Sequence, residues 1–256
     1  MNTQQKNDVA IIGGGIIGCS AALRLAQAGV KVTLLERGEI GREASAAAAG
    51  MIAPQGEMIQ PETFSELCHK SRDLYPQFAA EVEELSGERV GYRQDGSVLV
   101  AISGEECNEL EEIYHLQTSR GLSLERLSGD EARRRVAGLS PDIQLGLFVA
   151  GDHWLDNVSL MSGLAKACAK LGVSIHDHTE VVKLNAREGR VESVTVRENG
   201  ATSTISGGKF ILAAGCWSRE FAASFGLMLE MQPCRGQMME FETPAALPHV
   251  IRCGKH

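Results

Sequence analysis

The first part of the chain alternates short apolar runs with one amphipathic segment. Asp8–Ile12 is rich in β-branched residues, Ile16–Ala28 repeats its apolar positions with a helical period, and Lys31–Glu36 is a second apolar run. Gly29 stands just after the helical segment, where a residue with positive φ commonly ends a helix. The pattern predicts a strand–helix–strand unit with parallel strands.

The pattern between residues 55 and 144 is less regular. Charged outer positions over Pro61–Ser86 predict a helix, or two helices separated near Pro76, because a proline inside a helix removes a backbone hydrogen bond. The Asp95-Gly96 pair between two apolar runs predicts a β-hairpin with a two-residue turn. Further helices are expected over Glu105–Arg120 and Ser128–Gly138.

The last part of the chain is rich in strands. Asn157–Leu171 has a helical period and precedes the short apolar run Val173–His176. Glycine turns then separate three β-rich runs, which predicts a β-meander from Val181–Arg187, Arg190–Arg197 and Thr202–Ser206. Lys209–Ala213 is expected to be one more, separate buried strand.

Composition and charge narrow the classes of protein. The 256 residues are 43% hydrophobic, which excludes a disordered chain, and 25 basic against 33 acidic residues give a net charge of −8. A chain so acidic, without a basic stripe, has no electrostatic basis for binding nucleic acid or anionic lipid. The apolar run near the start is too short for a membrane span or leader, and the seven cysteines lack a C-x-x-C pair. We therefore expect a cytoplasmic protein with reduced thiols.

The turn after the first strand carries the clearest chemical motif. Gly13, Gly15 and Gly18 form G-x-G-x-x-G between a strand and a helix, where the helix N-terminus offers N–H groups to a pyrophosphate. Glu36 follows at the end of the second strand, where a carboxylate accepts hydrogen bonds from ribose hydroxyls and disfavours a 2′-phosphate. These residues predict a dinucleotide site and leave NAD and FAD open.

More specific segments distinguish between these two cofactors. The run Ala44–Met51, the pair Glu180-Val181, the segment Phe210–Ser218 and the triplet Arg235–Gln237 together resemble the D-amino acid oxidase family, and most closely its glycine-oxidising branch, which serves thiamine biosynthesis. The resemblance extends from about residue 8 to the last residue of the sequence. It implies FAD as the cofactor rather than NAD.

The resemblance also assigns roles to individual positions. Ile16 and Ile17 would present backbone to the pyrophosphate, Glu36 and Arg37 would hold the adenosine ribose, and Val181 would contact adenine through its main chain. The small residues after the second strand would line the flavin, with Met51 also expected in the substrate pocket. The residues implied to bind the cofactor are Gly13, Gly15, Ile16, Ile17, Gly18, Glu36, Arg37, Ala44, Ser45, Ala49, Gly50, Met51, Val181, Ala214 and Gly215. No catalytic acid or base is assigned.

The fold implied is α/β, with a Rossmann-like FAD-binding domain from residues 1–54 and 145–220 interleaved with a mixed β-sheet substrate domain from residues 55–144 and 221–256. The implied reaction is oxidation of glycine, or of another small amino acid or secondary amine, by FAD and dioxygen. A flavin-dependent D-amino acid dehydrogenase, a sarcosine-type oxidase and an FAD-binding fragment without catalysis stay open, as does a homo-oligomer. Relative to the family, the chain looks shortened at its C-terminus, with substrate-binding segments and sheet strands missing.

Other residues with chemical potential have simpler interpretations. His176 and His178 lack a third ligand, so no metal site is expected. The triplet Arg133–Arg135 fits the solvated face of a charged helix. The segment Asp152–Asp156 is interpreted as a turn before a helix, and Cys19 as a small buried apolar residue.

Overall fold

The computed structural model describes residues 7–57, 62–239, 242 and 247–253. Its strands are β1 (Asn7–Ile12), β2 (Val32–Leu35), β3 (Met51–Ile52), β4 (Ser97–Ala101), β5 (Glu125–Ser128), β6 (Leu145–Val149), β7 (His153–Trp154), β8 (Ser174–His176), β9 (Glu180–Arg187), β10 (Arg190–Glu198), β11 (Ala201–Leu212) and β12 (Val250–Cys253). Its α-helices are α1 (Ile16–Gln27), α2 (Ala44–Ala47), α3 (Glu62–Ser86), α4 (Gly104–Ser119), α5 (Gly129–Arg135), α6 (Asn157–Lys170) and α7 (Ser218–Ala223). A 3₁₀ turn covers Gly215–Trp217.

The chain divides into two compact units, each built from separated stretches of sequence. The first unit comprises Met1–Ala48, Ala80–Val90 and Asn157–Met238, and the second comprises Ala49–Ala79, Gly91–Asp156 and Met239–His256. The sequence instead predicts domain boundaries after residues 54, 144 and 220. Which function belongs to which unit stays a prediction.

The first unit contains a six-stranded sheet in the order β8-β2-β1-β11-β10-β9. Strand β1 pairs in parallel with β2 and with β11, and α1 connects β1 to β2. Strands β9, β10 and the first half of β11 form the expected antiparallel meander. Ile12, Leu35, Val181, Val194 and Val196 form an apolar cluster that joins the parallel and antiparallel parts. The strand–helix–strand unit is therefore present as predicted.

Strand β11 is one continuous strand where the sequence predicts two. The sequence predicts two strands, Thr202–Ser206 and Lys209–Ala213, but the chain runs straight from Ala201 to Leu212. Its first half pairs antiparallel with β10, and its second half pairs in parallel with β1. Of the two glycines between the predicted strands, Gly208 allows close approach, because a Cβ on it would lie 2.9 Å from Asp8 O.

The second unit contains a four-stranded sheet, β12-β4-β6-β5, and the two-stranded sheet β3-β7. Alternate residues of β4 belong to two apolar clusters: Val98 and Val100 pack with Ala132 of α5, whereas Leu99 and Ala101 pack with Leu110 of α4. Because successive side chains of a strand point to opposite faces, this sheet is buried on both sides. The two helices cover it with their apolar faces.

The hairpin expected at Asp95-Gly96 is not formed. Strand β4 pairs with β6 and β12 instead. The residues before the turn find a different partner: Arg93 exchanges two backbone hydrogen bonds with Trp154, of 2.8 and 3.0 Å. The Asp-Gly signal is local, and long-range pairing outweighs it.

The interruption expected near Pro76 is absent, because helix α3 continues through this residue. Tyr75 packs edge-on against Phe78, with ring centroids 5.8 Å apart, and Ala79 and Val82 are buried on the following turns. Packing of Tyr75 and of the turns that follow the proline therefore outweighs the lost backbone hydrogen bond. No helix in the described part of the chain is long and apolar enough to cross a membrane.

The structure also refines the ends of two helices. Ser128 forms a capping box with Glu131 at the start of α5, as expected of an N-cap residue, but the helix ends at Arg135 rather than near Gly138. Ser103 forms a second capping box with Glu106 at the start of α4. In each case a serine side chain and a glutamate satisfy backbone N–H groups that the first helical turn leaves without partners.

Candidate functional site

Of the three motif glycines between β1 and α1, Gly13 and Gly18 are the more tightly constrained by protein packing and Gly15 the less. Gly13 has φ +108°, and a Cβ on it would lie 2.3 Å from Ala213 O. A Cβ on Gly18 would lie 1.9 Å from Gly13 O, so Gly18 allows α1 to pack on the turn. A Cβ on Gly15 would meet only Ser45 Oγ, at 3.2 Å. Packing constrains Gly15 less than Gly13 or Gly18, and a glycine here also leaves room for close approach of a ligand.

Glu36 holds this turn from the end of β2. Its Oε2 accepts the N–H of Gly14 at 2.7 Å, and its Oε1 accepts the N–H of Gly38 at 2.9 Å. The residue is 8% exposed. Because a carboxylate oxygen accepts more than one hydrogen bond, both oxygens retain capacity for a hydroxyl donor. Glu36 therefore has a structural role that the sequence did not predict, and this role is compatible with the expected contact to ribose.

Helix α2 lies against the N-terminus of α1. Ser45 Oγ accepts the N–H of Ile16 at 3.0 Å, so this N–H, which was expected to meet the pyrophosphate, already has a protein partner. The Ser45 hydroxyl still has its own proton to donate. Asn157, at the start of α6, holds α2 in turn by donating to the carbonyls of Ser45 and Ala46 at 2.7 and 2.9 Å. The sequence predicts Asn157 only as the first residue of a helix, because these contacts span more than 100 residues.

A cleft of about 1060 Å³ opens in the first unit above these elements. Its size is at the upper end of the range for small-molecule and cofactor pockets. The expected cofactor-binding residues that line it are Gly13, Gly15, Ile16, Ile17, Glu36, Arg37, Ala44, Ser45, Val181, Ala214 and Gly215. Gly18 lies beneath the turn and packs on it, while Ala49, Gly50 and Met51 belong to the second unit.

Two residues that line the cleft, Trp217 and Thr179, were not among those predicted from the sequence. The guanidinium of Arg37 lies 3.7 Å from the centroid of the Trp217 ring and also pairs with Glu43 at 2.7 Å. Thr179 is buried beside Glu36 and donates its N–H to Glu36 O at 2.7 Å. Trp217 lies within the segment that carried the family resemblance, so a sequence signal was present for it. Thr179 carries no comparable signal.

Charges on the cleft walls are largely paired. Glu39 pairs with Arg42, and Glu180 with Arg197, at 3.1 and 2.5 Å. Under the glycine turn, burial raises the pKa of the Cys19 thiol to about 12, and its Sγ contacts Gly14 O at 3.4 Å. Cys19 is therefore an un-ionised packing residue, as expected from the sequence.

The remaining candidates take part in local structure. His176 Nε2 hydrogen bonds Ser174 Oγ at 2.9 Å, and His178 occupies a turn position with φ +49°. Arg133 donates to the carbonyls of Pro141 and Ile143. Within the described residues, no group of three or more His, Cys, Asp or Glu side chains is arranged to hold a metal ion.

Comparison with known proteins shows which family the chain resembles. Residues 8–254 match the family model described as FAD dependent oxidoreductase (DAO). The bifunctional protein ThiO/ThiG of Trichormus variabilis is 32% identical over 252 residues, which cover 95% of this chain and 35% of that protein. Glycine oxidase of Geobacillus kaustophilus is 30% identical over 242 residues, 94% of this chain and 63% of that protein.

A solved structure supports the same relationship. The crystal structure of glycine oxidase from Bacillus cereus ATCC 14579 superposes with a TM-score of 0.79 at 32% identity, over 86% of this chain and 58% of that chain. The chain thus spans about 60% of the length of the glycine oxidases that it matches. The predicted α/β fold and family are confirmed. The chain belongs to the DAO family of FAD-dependent oxidoreductases.

Proposed function

We propose that the chain binds FAD in the cleft of its first unit, and that the protein oxidises glycine or another small amino acid or secondary amine. The observation that carries the proposal is Gly15. It lines the cleft, where a Cβ would meet only Ser45 Oγ, at 3.2 Å, and it lies beside the N-terminus of a helix and a carboxylate at the end of β2. This combination is typical of a dinucleotide diphosphate site.

The residues of the cleft fit the parts of FAD. The N-terminus of α1 and the Ser45 hydroxyl would hold the diphosphate, because both offer hydrogen-bond donors beside Gly15. Glu36 would accept from the adenosine ribose. The charge of Glu36 also disfavours a 2′-phosphate, which argues against NADP.

The other positions follow from the family resemblance. Val181 would contact adenine, Ala214 and Gly215 would lie along the diphosphate and ribityl chain, and Ala44 would lie near the flavin. When bound, FAD supplies the hydride-accepting and dioxygen-reducing chemistry that converts an amine to an imine and yields hydrogen peroxide. The protein contributes orientation, exclusion of water and the electrostatic environment of the flavin. Hydrolysis of the imine then gives an oxoacid and ammonia.

A role in thiamine biosynthesis belongs to the proposal. It is supported by the similarity to the ThiO/ThiG proteins, whose names connect the oxidase to that pathway. Glycine is the preferred substrate of the proposal because relatives named glycine oxidase match over more than nine tenths of the chain. D-amino acid dehydrogenase and sarcosine-type oxidase are the alternatives that use the same cofactor site.

The test is a visible absorption spectrum of the desalted protein, followed by a peroxide assay with glycine, sarcosine and D-alanine. We expect a flavin spectrum, and peroxide with glycine at the highest rate. Peroxide from sarcosine or D-alanine alone would reassign the substrate. If the retained flavin passes electrons to an artificial acceptor but not to dioxygen, the protein is a dehydrogenase rather than an oxidase. Flavin without turnover on any acceptor would reject catalysis and keep only cofactor binding.

A pair of glycine variants links FAD binding to this cleft. Gly15→Ala places a methyl group in the cleft, and we expect the Kd for FAD to rise about tenfold or more, which corresponds to about 1.4 kcal/mol. Gly104→Ala is the matched control, because a Cβ at Gly104 in α4 meets no atom within 4 Å. Equal FAD affinity of the two variants would place the cofactor elsewhere.

A further inference from the structure

An arginine and a tryptophan stack on each other at the wall of the cleft. Arg37 Cζ lies 3.7 Å from the centroid of the Trp217 ring, well within the range of a cation–π contact. Arg37 follows strand β2 closely, and Trp217 ends the 3₁₀ turn after strand β11. The stack therefore joins two elements that lie far apart in the sequence, and both of its residues line the cleft.

The Trp217 ring is placed at the cleft rather than in the core. Its neighbours Ala214 and Phe221 pack on the apolar cluster of the first unit, whereas Trp217 is 36% exposed. A Cβ on Gly215, which is expected along the diphosphate and ribityl chain, would lie 4.0 Å from Trp217 Cε3. A large ring that stays this accessible gains less from burial than a core residue does, so burial alone does not account for a tryptophan here.

Arg37 also pairs with a carboxylate. Its guanidinium lies 2.7 Å from Glu43, the residue before α2, and the two side chains are 37% and 54% exposed. An ion pair this accessible to water fixes a long, flexible side chain only weakly. Glu36 and Glu39 line the same cleft and offer the guanidinium other carboxylates. The flat Trp217 ring adds a restraint of a different kind, because it fixes the plane of the guanidinium.

Glu36 and Arg37 offer complementary groups to a ribose. The carboxylate of Glu36 accepts hydrogen bonds from hydroxyl groups, and the guanidinium of Arg37 donates hydrogen bonds to hydroxyl oxygens. Each hydroxyl group of a ribose has one proton and two lone pairs, so the two side chains can hold the same sugar together. The N–H groups of arginine form a rigid fork, and their use by a ligand depends on the orientation of that fork.

We propose that Trp217 is a positioning residue for the adenosine half of FAD, which holds the guanidinium of Arg37 in the orientation that meets the ribose. The inference rests on the proposed function, with Glu36 and Arg37 at the ribose. Because Trp217 acts through Arg37, its replacement weakens cofactor binding only while the Arg37 side chain is present. A tryptophan that only stabilises the fold, or that binds the cofactor by itself, would not show this dependence.

The first test is a double-mutant cycle. The Kd for FAD is measured by equilibrium dialysis for the wild type, Trp217→Leu, Arg37→Ala and the double variant. We expect the Kd to rise about fivefold in Trp217→Leu and about tenfold in Arg37→Ala, and the double variant to match Arg37→Ala. Trp217→Phe keeps an aromatic face for the guanidinium, and its Kd should stay within about twofold of the wild type.

The second test locates the effect within the cofactor. ADP contains the adenosine and the diphosphate of FAD but no flavin. Because Arg37 is expected at the ribose, Trp217→Leu should raise the Kd for ADP by the same factor as the Kd for FAD. A rise in the Kd for FAD alone would place the effect of Trp217 at the flavin half and overturn the inference.

The second unit offers a matched control pair. Arg135 Cζ lies 4.1 Å from the centroid of the Phe148 ring, and Arg135 also pairs with Glu125. The same three kinds of group therefore meet at a place that does not line the cleft. Arg135→Ala and Phe148→Leu should lower the thermal unfolding temperature and leave the Kd for FAD and for ADP unchanged. They separate a loss of stability from a loss of binding.

The outcomes are distinguishable. A wild-type Kd in Trp217→Leu overturns the inference, and so does an equal rise with and without the Arg37 side chain. An equal rise in Phe148→Leu also overturns it, because lost stability would then explain the effect. If Trp217→Leu does not fold, Trp217→Met replaces it in the cycle, because methionine is flexible and apolar but has no ring. A wild-type protein that binds neither FAD nor ADP overturns the proposed function, and the inference with it.

Discussion

Two turns of this molecule, one in each unit, are held by the same device. Glu36 accepts the N–H groups of Gly14 and Gly38, and Asp152 accepts those of Gln55 and Gly56. In both turns a carboxylate replaces the missing backbone acceptors. A β-carbon on the glycine would collide with the acidic residue, at 2.9 Å from Glu36 Cβ for Gly14 and at 2.5 Å from Asp152 Oδ2 for Gly56.

The two turns differ in burial and in sequence distance. Glu36 follows Gly14 by 22 positions within one strand–helix–strand unit and lines the cleft, whereas Asp152 lies 96 positions from Gly56 and is 1% exposed. A carboxylate near a ligand cleft serves both protein and ligand. One buried in a protein core serves the protein alone, so its removal is expected to affect stability more.

The largest effect is expected for removal of the carboxylates. Asp152→Ala leaves two N–H groups and the Ser97 hydroxyl without an acceptor in a dry site, and we expect the free energy of unfolding to fall by about 4 kcal/mol. Glu36→Ala should cost about 2 kcal/mol, because water in the cleft replaces part of the lost hydrogen bonds. Urea denaturation measures both. A larger loss for Glu36→Ala would contradict the comparison.

The glycines should show the same order with smaller effects. In Gly56→Ala the added methyl group meets Asp152 Oδ2 and Ser97 Oγ, which are both fixed, and we expect a loss of about 3 kcal/mol. In Gly14→Ala the nearest atom is Ile40 Cδ1, at 2.4 Å and at the end of a flexible side chain, while Glu36 Cβ lies at 2.9 Å. That variant should lose about 1.5 kcal/mol. Equal midpoints in urea would show that the Asp152 turn is no more rigid than the Glu36 turn.

The strand–helix–strand unit was predictable because its determinants are local. Apolar periodicity defines β1, α1 and β2, and the glycine spacing places Glu36 at the end of β2. Asp152 was not predictable in its role, because Gln55 and Gly56 lie nearly a hundred residues away. Local chemistry alone makes an aspartate before a helix look like a turn former.

The errors in the fold have the same origin. Asp95-Gly96 carries a strong hairpin signal, yet β4 pairs with β6 and β12, which lie far along the chain. Pro76 carries a helix-breaking signal, yet α3 continues through it, with Ala79 and Val82 buried on the following turns. In both places tertiary contacts outweigh a local preference of a few kcal/mol. The contacts of Asn157 with α2 are missed for the same reason.

The buried carboxylate also predicts a pH dependence. Because the pKa of Asp152 is raised in the folded protein, the folded state holds the proton more tightly than the unfolded chain does. The contribution of Asp152 to stability is therefore greatest at low pH and falls as the pH rises from about 4, the ordinary pKa of aspartate, through the raised value. The free energy of unfolding of the wild type minus that of Asp152→Asn, measured by urea denaturation at several pH values, should decrease over this range. An increase would contradict the burial argument.

The smallest effect on stability is expected for Gly15→Ala. Only Ser45 Oγ lies near the added methyl group, at 3.2 Å, so the free energy of unfolding should change by less than about 0.5 kcal/mol. FAD affinity should nevertheless fall about tenfold. Thermal unfolding without FAD and a titration with FAD measure the two effects. A large stability loss without FAD would show that Gly15, like Gly18, is required by packing.

Binding of FAD in the cleft is tested most directly by incubating the desalted protein with FAD, removing the free cofactor and recording the visible spectrum of the wild type beside Gly15→Ala. We expect stoichiometric flavin absorption in the wild type and much less in the variant, with both proteins folded by circular dichroism. A folded wild-type protein that stays colourless, or a variant that retains as much flavin as the wild type, would contradict the assignment of this cleft.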